Sequence, residues 1–295
     1  FASGGFSPAT LPASTPAPTP APTPAPTPAP AAVDVYYKSD HTSAGSGTQA
    51  DPYRDLASGP TGDNVRHLLH SASSWYGIFP VDKLQGNNIT VDYWGPTSQR
   101  PLLTGFVSLP ASSWTFDSAT GCYYRDVVQD PANFFTTAPG IVLRGNTPLK
   151  LRHWYQGNLT TALQGLPVDS FMYVWTTAPK RVWIKLSGSI NDAPLKLAYE
   201  RFAIIVNANQ IQRNTCTIRN LRIEGYSNVA LTSRLQANTT IEDCDINYVG
   251  GERDINAGTW YGQGIALGAA CSGSIVRRCN INWVYDSPVT VELYH

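Results

Sequence analysis

The last third of the chain alternates apolar and polar positions in short runs that repeat. CTIRNLRIEG (Cys216 to Gly225), TTIEDCDINYVG (Thr239 to Gly250) and SIVRRCNINWVY (Ser274 to Tyr285) place Ile218, Ile241 and Val276 in one column. Leu221, Cys244 and Cys279 form a second column, and Ile223, Ile246 and Ile281 a third. Between them runs another strand pattern, NVALTS, GIALGA and PVTVEL, aligning Val229, Ile265 and Val289, then Leu231, Leu267 and Val291. Strands this short cannot bury their apolar side alone and must stack on one another. The pattern predicts an all-β fold, a right-handed parallel β-helix. On its outer face, Arg219, Glu242 and Arg277 predict a ladder of alternating charge, and Ala230, Ala266 and Thr290 a flat strip of small residues.

Ile218 and Ile241 are 23 residues apart, Ile241 and Val276 35. The excess falls in YVGGERDINAGTWYGQG (Tyr248 to Gly264), a polar and aromatic loop on a regular scaffold, the kind of place where function gathers. Further upstream, Asp63 as N-cap with Val65, Leu68, Leu69 and Ala72 at helical spacing predicts a short helix. NNITVDYWG and PLLTG, from Asn87 to Gly105, predict the first rung. Residues 106–198 break the rung pattern with many aromatics, among them Trp114, Tyr123, Tyr124, Trp154, Tyr155, Tyr173, Trp175 and Trp183, and predict an inserted β-rich region. Rung sequence resumes in 199–295, with 33–105 as cap and first rung.

Residues 1–32 are of another kind. Thr-Pro-Ala-Pro repeats from Thr15 to Pro30, and proline at every second position permits neither helix nor sheet, only polyproline II. Such an arm is a stiff spacer, and threonines beside prolines, Thr15, Thr19, Thr23 and Thr27, are O-glycosylation candidates. Asn88, Asn158 and Asn238 head N-glycosylation sequons. The chain begins at Phe1, not methionine, as a processed or partial chain does. Together these predict a secreted, extracellular or cell-surface glycoprotein.

VDVYYKSDHTSAGSGTQADPYRDL (Val33 to Leu56) carries a resemblance. Its Gly47-Thr48, Pro52-Tyr53-Arg54 and Leu56 resemble the entry segment of secreted, pectin-lyase-like right-handed β-helix proteins, with Asp55 where threonine is usual. WTFDSATGCYYRDV, IVLRGNTPLKLRHW and SFMYVWTTAPKRVWIKL resemble the inserted β region of the same proteins, and NWVYDS a rung in which an aromatic and an aspartate line a groove. The resemblance implies a mouth-plugging helix near residue 65 and a polysaccharide lyase, glycosidase or epimerase activity. Fold does not by itself confer function.

Composition narrows the classes. Charged residues make up 14% of 295, with 21 Lys+Arg against 21 Asp+Glu. A balanced surface argues against nucleic acid, whose phosphates demand a basic face, and no run of 18 apolar residues predicts a membrane span. The five cysteines show no metal-ligand spacing; Cys244 and Cys279 fall in an inward column as buried thiols. No cofactor is implied: Asp245 with Glu224 is a thin version of the carboxylate cluster that calcium requires. The repeat rungs contain no lysine after Lys196, against a Lys-base lyase.

Hydrolysis needs two carboxylates flanking a sugar bond; the candidates are Glu252, Asp254 and Asp286, with Trp260, Tyr261, Trp283 and Tyr285 to stack on sugar rings. The favoured reading is a structural subunit of a filament or surface layer. It would associate through the proline-rich arm and the uncapped rung at Pro288 to His295, which another subunit or a continuing polypeptide covers. The alternatives are a β-helix glycoside hydrolase or lyase, and a non-catalytic glycan-binding module.

Overall fold

The computed structural model describes residues 31–96, 99–126, 140–152, 157–174, 179–206, 215–233, 237–253, 260–268 and 271–291. The arm and its four threonines, with Trp154, Tyr155, Trp175 and Asp254, lie outside the described residues.

Three parallel sheets carry the main core. The first takes Val33–Tyr37, Val65–His70, Ile89–Trp94, Cys216–Arg219, Thr239–Glu242 and Ile275–Arg277 in that order. The second takes Ser74–Tyr76, Leu102–Thr104, Arg222–Tyr226, Asp245–Val249 and Asn280–Val284. The third takes Phe202–Val206, Val229–Ser233, Gln263–Leu267 and Ser287–Val291. From Phe202 onward the chain visits the three in turn and returns one strand further along. The register sets Ile218 beside Ile241 and Ile241 beside Val276, and Ile223, Ile246 and Ile281 likewise, as the repeat predicts. Each fully buried isoleucine contributes about 2 kcal/mol.

Corners between the sheets are made by single left-handed residues. Asn220, Asp243 and Arg278 turn the chain from the first sheet to the second, and Asn64, Asn88 and Asn238 lead into strands of the first. Asparagine and aspartate tolerate this backbone best among residues with a Cβ. Arg278 is held there by two bonds to Asp243, at 2.8 and 2.7 Å. Asn88 Nδ2 donates to Asn64 Oδ1 at 3.0 Å while its Oδ1 accepts from Thr215, so the amide that a glycan would occupy belongs to this ladder.

Four expectations are corrected. Val65–His70 is a strand, not a helix: it pairs in parallel with both Val33–Tyr37 and Ile89–Trp94, burying Val65, His67 and Leu69 at period two. Asp63 accepts from the Asn87 backbone N–H at 2.8 Å instead of capping a helix. The first sheet therefore begins well before Asn87. In the third sheet Ile265 pairs with Val289, Ala266 with Thr290 and Leu267 with Val291 as predicted, but Val229–Ser233 is shifted by two residues: Val229 faces Gln263, Leu231 faces Ile265, and Thr232, not Ala230, faces Ala266. A two-residue slip leaves every side chain on its own face, so alternation alone cannot detect it. Nor is the strip of small residues outside: Val229–Ser233 and Gln263–Leu267 are buried along their whole length.

The near end of the core is filled by the 3-10 turns Leu56–Ser58 and Val81–Leu84, which add Leu56, Phe79 and Leu84. Between Phe106 and Ala198 the pairing becomes mainly antiparallel. Phe106–Leu109, Val142–Arg144, Thr147–Pro148 and Leu195–Ala198 form one sheet; Thr115–Asp117, Cys122–Asp126, Lys150–Arg152, Ser170–Val174 and Arg181–Lys185 form another. This region has its own core around Trp114, Phe171, Ile184 and Leu197. Its helix, Leu159–Gln164, is N-capped by Asn158, whose side chain accepts from Thr161 N at 3.0 Å.

Candidate functional site

Two neighbouring columns on the outer face of the second sheet build the site. The register aligns Tyr76, Thr104, Glu224, Asn247 and Asn282. The residues that follow them are Gly77, Gly105, Gly225, Tyr248 and Trp283. Four of these five are left-handed: Gly77 (φ 100°), Gly225 (81°), Tyr248 (57°) and Trp283 (53°). A left-handed residue interrupts the alternation of a strand as a bulge does. Asn247 and Tyr248 therefore both face outward before Val249 turns in, and Asn282 and Trp283 repeat the arrangement.

At Gly105 and Gly225 other chain occupies the vacant space, whereas Gly77 is open. A Cβ on Gly225 would stand 2.3 Å from the Phe106 ring, and one on Gly105 would stand 2.9 Å from the Glu200 Cβ. At the aromatic positions the rings continue the row: Phe106 lies 6.0 Å from Tyr248, and Tyr248 stacks on Trp283 at 6.4 Å and 21°. Trp283 is 63% exposed. The Tyr248 hydroxyl donates to the Asn146 carbonyl and ties the row to the inserted region. Between them opens a cleft of about 350 Å³, with Tyr248, Trp283 and Tyr285 on one side and Leu149, Lys150, Leu151 and Phe171 on the other.

Polar groups continue along the sheet. Asn282 Nδ2 donates to Asn280 at 2.9 Å and Asn247 at 3.4 Å. Both arginines of this face are paired with acids, Arg100 with Asp245 at 2.7 Å and Arg222 with Glu224 at 3.6 Å. Glu200 sits in the link into Phe202–Val206, clamped by Tyr199 N–H to Gly105 O at 3.1 Å and Ser227 N–H to Glu200 O at 2.7 Å. Burial, then the Glu200 charge nearby, push the Tyr76 pKa up. Burial also pushes the Tyr226 hydroxyl well up, with both Glu200 and Glu224 adding to the effect.

The predicted site residues divide. Glu252 is 1% exposed and accepts from Arg201 Nε at 2.8 and 3.0 Å and from Ser227 at 3.1 Å. Burial raises its pKa against the opposing pull of Arg201. It anchors the hairpin of Glu252–Arg253 with Trp260–Tyr261 and does not line the cleft. Asp286 is exposed and meets the Gln263 amide at 3.4 Å; Asp254 is outside the described residues. Trp260 packs on Tyr285 at 5.9 Å, and Trp283 and Tyr285 line the cleft. Sequence reasoning missed Tyr248 and Glu200 as site residues. A left-handed backbone aims the first and long-range packing places the second, and neither leaves a motif.

Among the described residues no group of three or more His, Cys, Asp or Glu is gathered to hold a metal, and no helix is long and apolar enough to cross a membrane. Cys122, Cys216, Cys244, Cys271 and Cys279 are all free thiols.

No family model matches the sequence, and no curated protein matches it. Solved structures with similar chains include the complex of XylC with xylose, at 10% identity and TM-score 0.49, covering 88% of this chain and 63% of that one. A glycoside hydrolase matches at 8% identity and TM-score 0.49, over 84% of this chain and 65% of that one. The GH136 lacto-N-biosidase from Eubacterium ramulus matches at 15% identity and TM-score 0.40, over 88% of this chain and 36% of that one. This chain thus spans less than two thirds of each of these proteins. Superpositions this loose assign neither substrate nor residues.

Proposed function

We propose that the three parallel sheets close into a right-handed parallel β-helix of the pectin-lyase-like kind. On this reading the protein is a secreted, polysaccharide-active one that holds an extended glycan along its second sheet. The observation that carries this is the exposed Tyr248–Trp283 stack walling a cleft of sugar size beside a row of amides and carboxylates. Aromatic faces take the apolar side of a sugar ring, while amides and acids take its hydroxyls. Arg100 and Arg222 of the face are already neutralised by Asp245 and Glu224, and Lys150 is, among the described residues, the single cation lining the cleft, which favours a neutral glycan over a polyuronate with a charge on every ring. The assembly role expected from the arm rests on residues outside those described, whereas the cleft is built entirely from described ones.

Isothermal titration with neutral xylo-, cello-, manno- and galacto-oligosaccharides tests the reading. At least one series binds, and Trp283→Ala weakens it tenfold or more, about 1.4 kcal/mol. Absence of binding across all four series, or full affinity in the alanine variant, refutes it.

A further inference from the structure

We propose that Glu200 and Glu224 are the acid and base of a glycoside-hydrolysing centre on the second sheet. The inference rests on the glycan-binding reading of the cleft and adds a reaction to it.

Three observations bring the two carboxyl groups together. Glu224 faces outward directly beside Thr104 on the neighbouring strand. The Glu200 Cβ sits in the space left by Gly105, the next residue along that strand. Gly105 N–H donates to Glu224 O at 3.0 Å and Gly105 O accepts from Tyr199 N–H at 3.1 Å, so one residue braces both glutamates. Neighbouring strands lie about 5 Å apart, within the range of about 5–10 Å at which paired carboxyl groups flank a glycosidic bond.

Their surroundings differ, and that separates the roles. Glu224 has Arg222 at 3.6 Å as partner for its negative charge. Glu200 is set among tyrosines: Tyr76, Tyr199 and Tyr226 stand beside it. Glu200 is the acid and Glu224 the base. The Glu200 proton passes to the glycosidic oxygen as the bond from that oxygen to the anomeric carbon breaks. Glu224 removes a proton from the water whose oxygen bonds to the same carbon. One water is consumed, a hemiacetal and an alcohol leave, and solvent returns the proton from Glu224 to Glu200. No oxidant or metal enters.

The site is open to a substrate. Tyr76 is 55% exposed, and the row Phe106, Tyr248, Trp283 runs from the glutamates to the cleft. The substrate class is therefore a neutral glycan long enough to rest on Trp283 while its scissile bond reaches Glu224.

Reducing-end release from the four oligosaccharide series, measured on the full chain, tests the pair. Wild type cleaves a series that it binds. Glu200→Gln and Glu224→Gln each lose about 10²–10⁴ of the rate while keeping the oligosaccharide affinity within twofold and the melting temperature unchanged. Azide restores turnover to Glu224→Ala, which a merely structural glutamate would not allow. Oligosaccharide binding without cleavage in wild type, or cleavage that survives both glutamine variants, overturns the pair and leaves the binding reading standing. Absence of binding overturns both.

Discussion

A single backbone choice, repeated on successive strands, decides what the second sheet shows to solvent. Where the left-handed residue is Gly225, Phe106 lies flat in the vacancy; where it is Tyr248 or Trp283, the ring itself stands out. His67 shows the same dependence on neighbours inside the core. Its Nδ1 accepts from the Tyr37 hydroxyl at 2.9 Å and its Nε2–H donates to the Lys83 carbonyl at 3.2 Å, which requires the neutral ring. Burial lowers its pKa to about 4, the Lys83 carbonyl and the Asp82 charge opposing and the Lys83 charge assisting. A histidine whose folded pKa lies below its unfolded value of about 6.5 stabilises fully above that value. That stability is lost as pH falls from about 6.5 to 4, by about 3 kcal/mol in all. Denaturant titrations across this window should show the slope in wild type and not in His67→Asn. An unchanged slope in the variant would place the acid sensitivity elsewhere.

At the scale of elements, the charge ladder locks the register of the first sheet. Arg219 bonds Asp92 at 2.8 Å and lies 3.7 Å from Glu242, which also takes Arg277 at 2.6 Å and Arg278 at 2.9 Å. Glu242 is the buried hub, and the Arg277 hydrogen bond is the largest cause holding its pKa below the usual carboxylate value. Its contribution is therefore present above about pH 4.5 and fades as pH falls. Glu242→Ala should lose about 2 kcal/mol at neutral pH, read from the denaturation midpoint, because three guanidinium groups are left facing one another. A loss below 0.5 kcal/mol, roughly the level of an exposed pair, would mean that the ladder is ornamental. This ladder and the isoleucine columns were legible in the sequence, because adjacent repeats of similar length must align their apolar faces. In the third sheet the pairing of Gln263–Leu267 with Ser287–Val291 was legible, and that with Val229–Ser233 only to within two residues, since the turn at Gly262 and Gln263, not the alternation, sets that register. Residues 65–72 satisfied a helical spacing and a period-two spacing at once; pairing on both sides chose the strand. Of the site, Trp283 and Tyr285 could be read from their composition in a rung. Glu200 could not, because what places it is a glycine 95 residues earlier in the chain.

On the scale of the whole molecule, the cleft joins two kinds of architecture. One side belongs to parallel strands whose core is shared from coil to coil, the other to an antiparallel region with a core of its own. A glycan seated there ties the two together, and ligand binding raises stability by about 2.7 kcal/mol at a hundredfold excess over Kd. Hydrogen exchange on the saturated protein should accordingly slow in Asn280–Val284 and in Lys150–Arg152 alike. Protection confined to one of the two segments would show that the glycan rests on a single side. The column Gly77, Gly105, Gly225, Tyr248, Trp283 carries a further meaning here. A strictly periodic face would accept a linear polymer in either sense and at any step. This one changes from glycines, two of them overlain by other chain, to broad rings partway along, so it has a head and a tail. A threaded polymer would be read as an arrow, with its two ends told apart before any bond is broken.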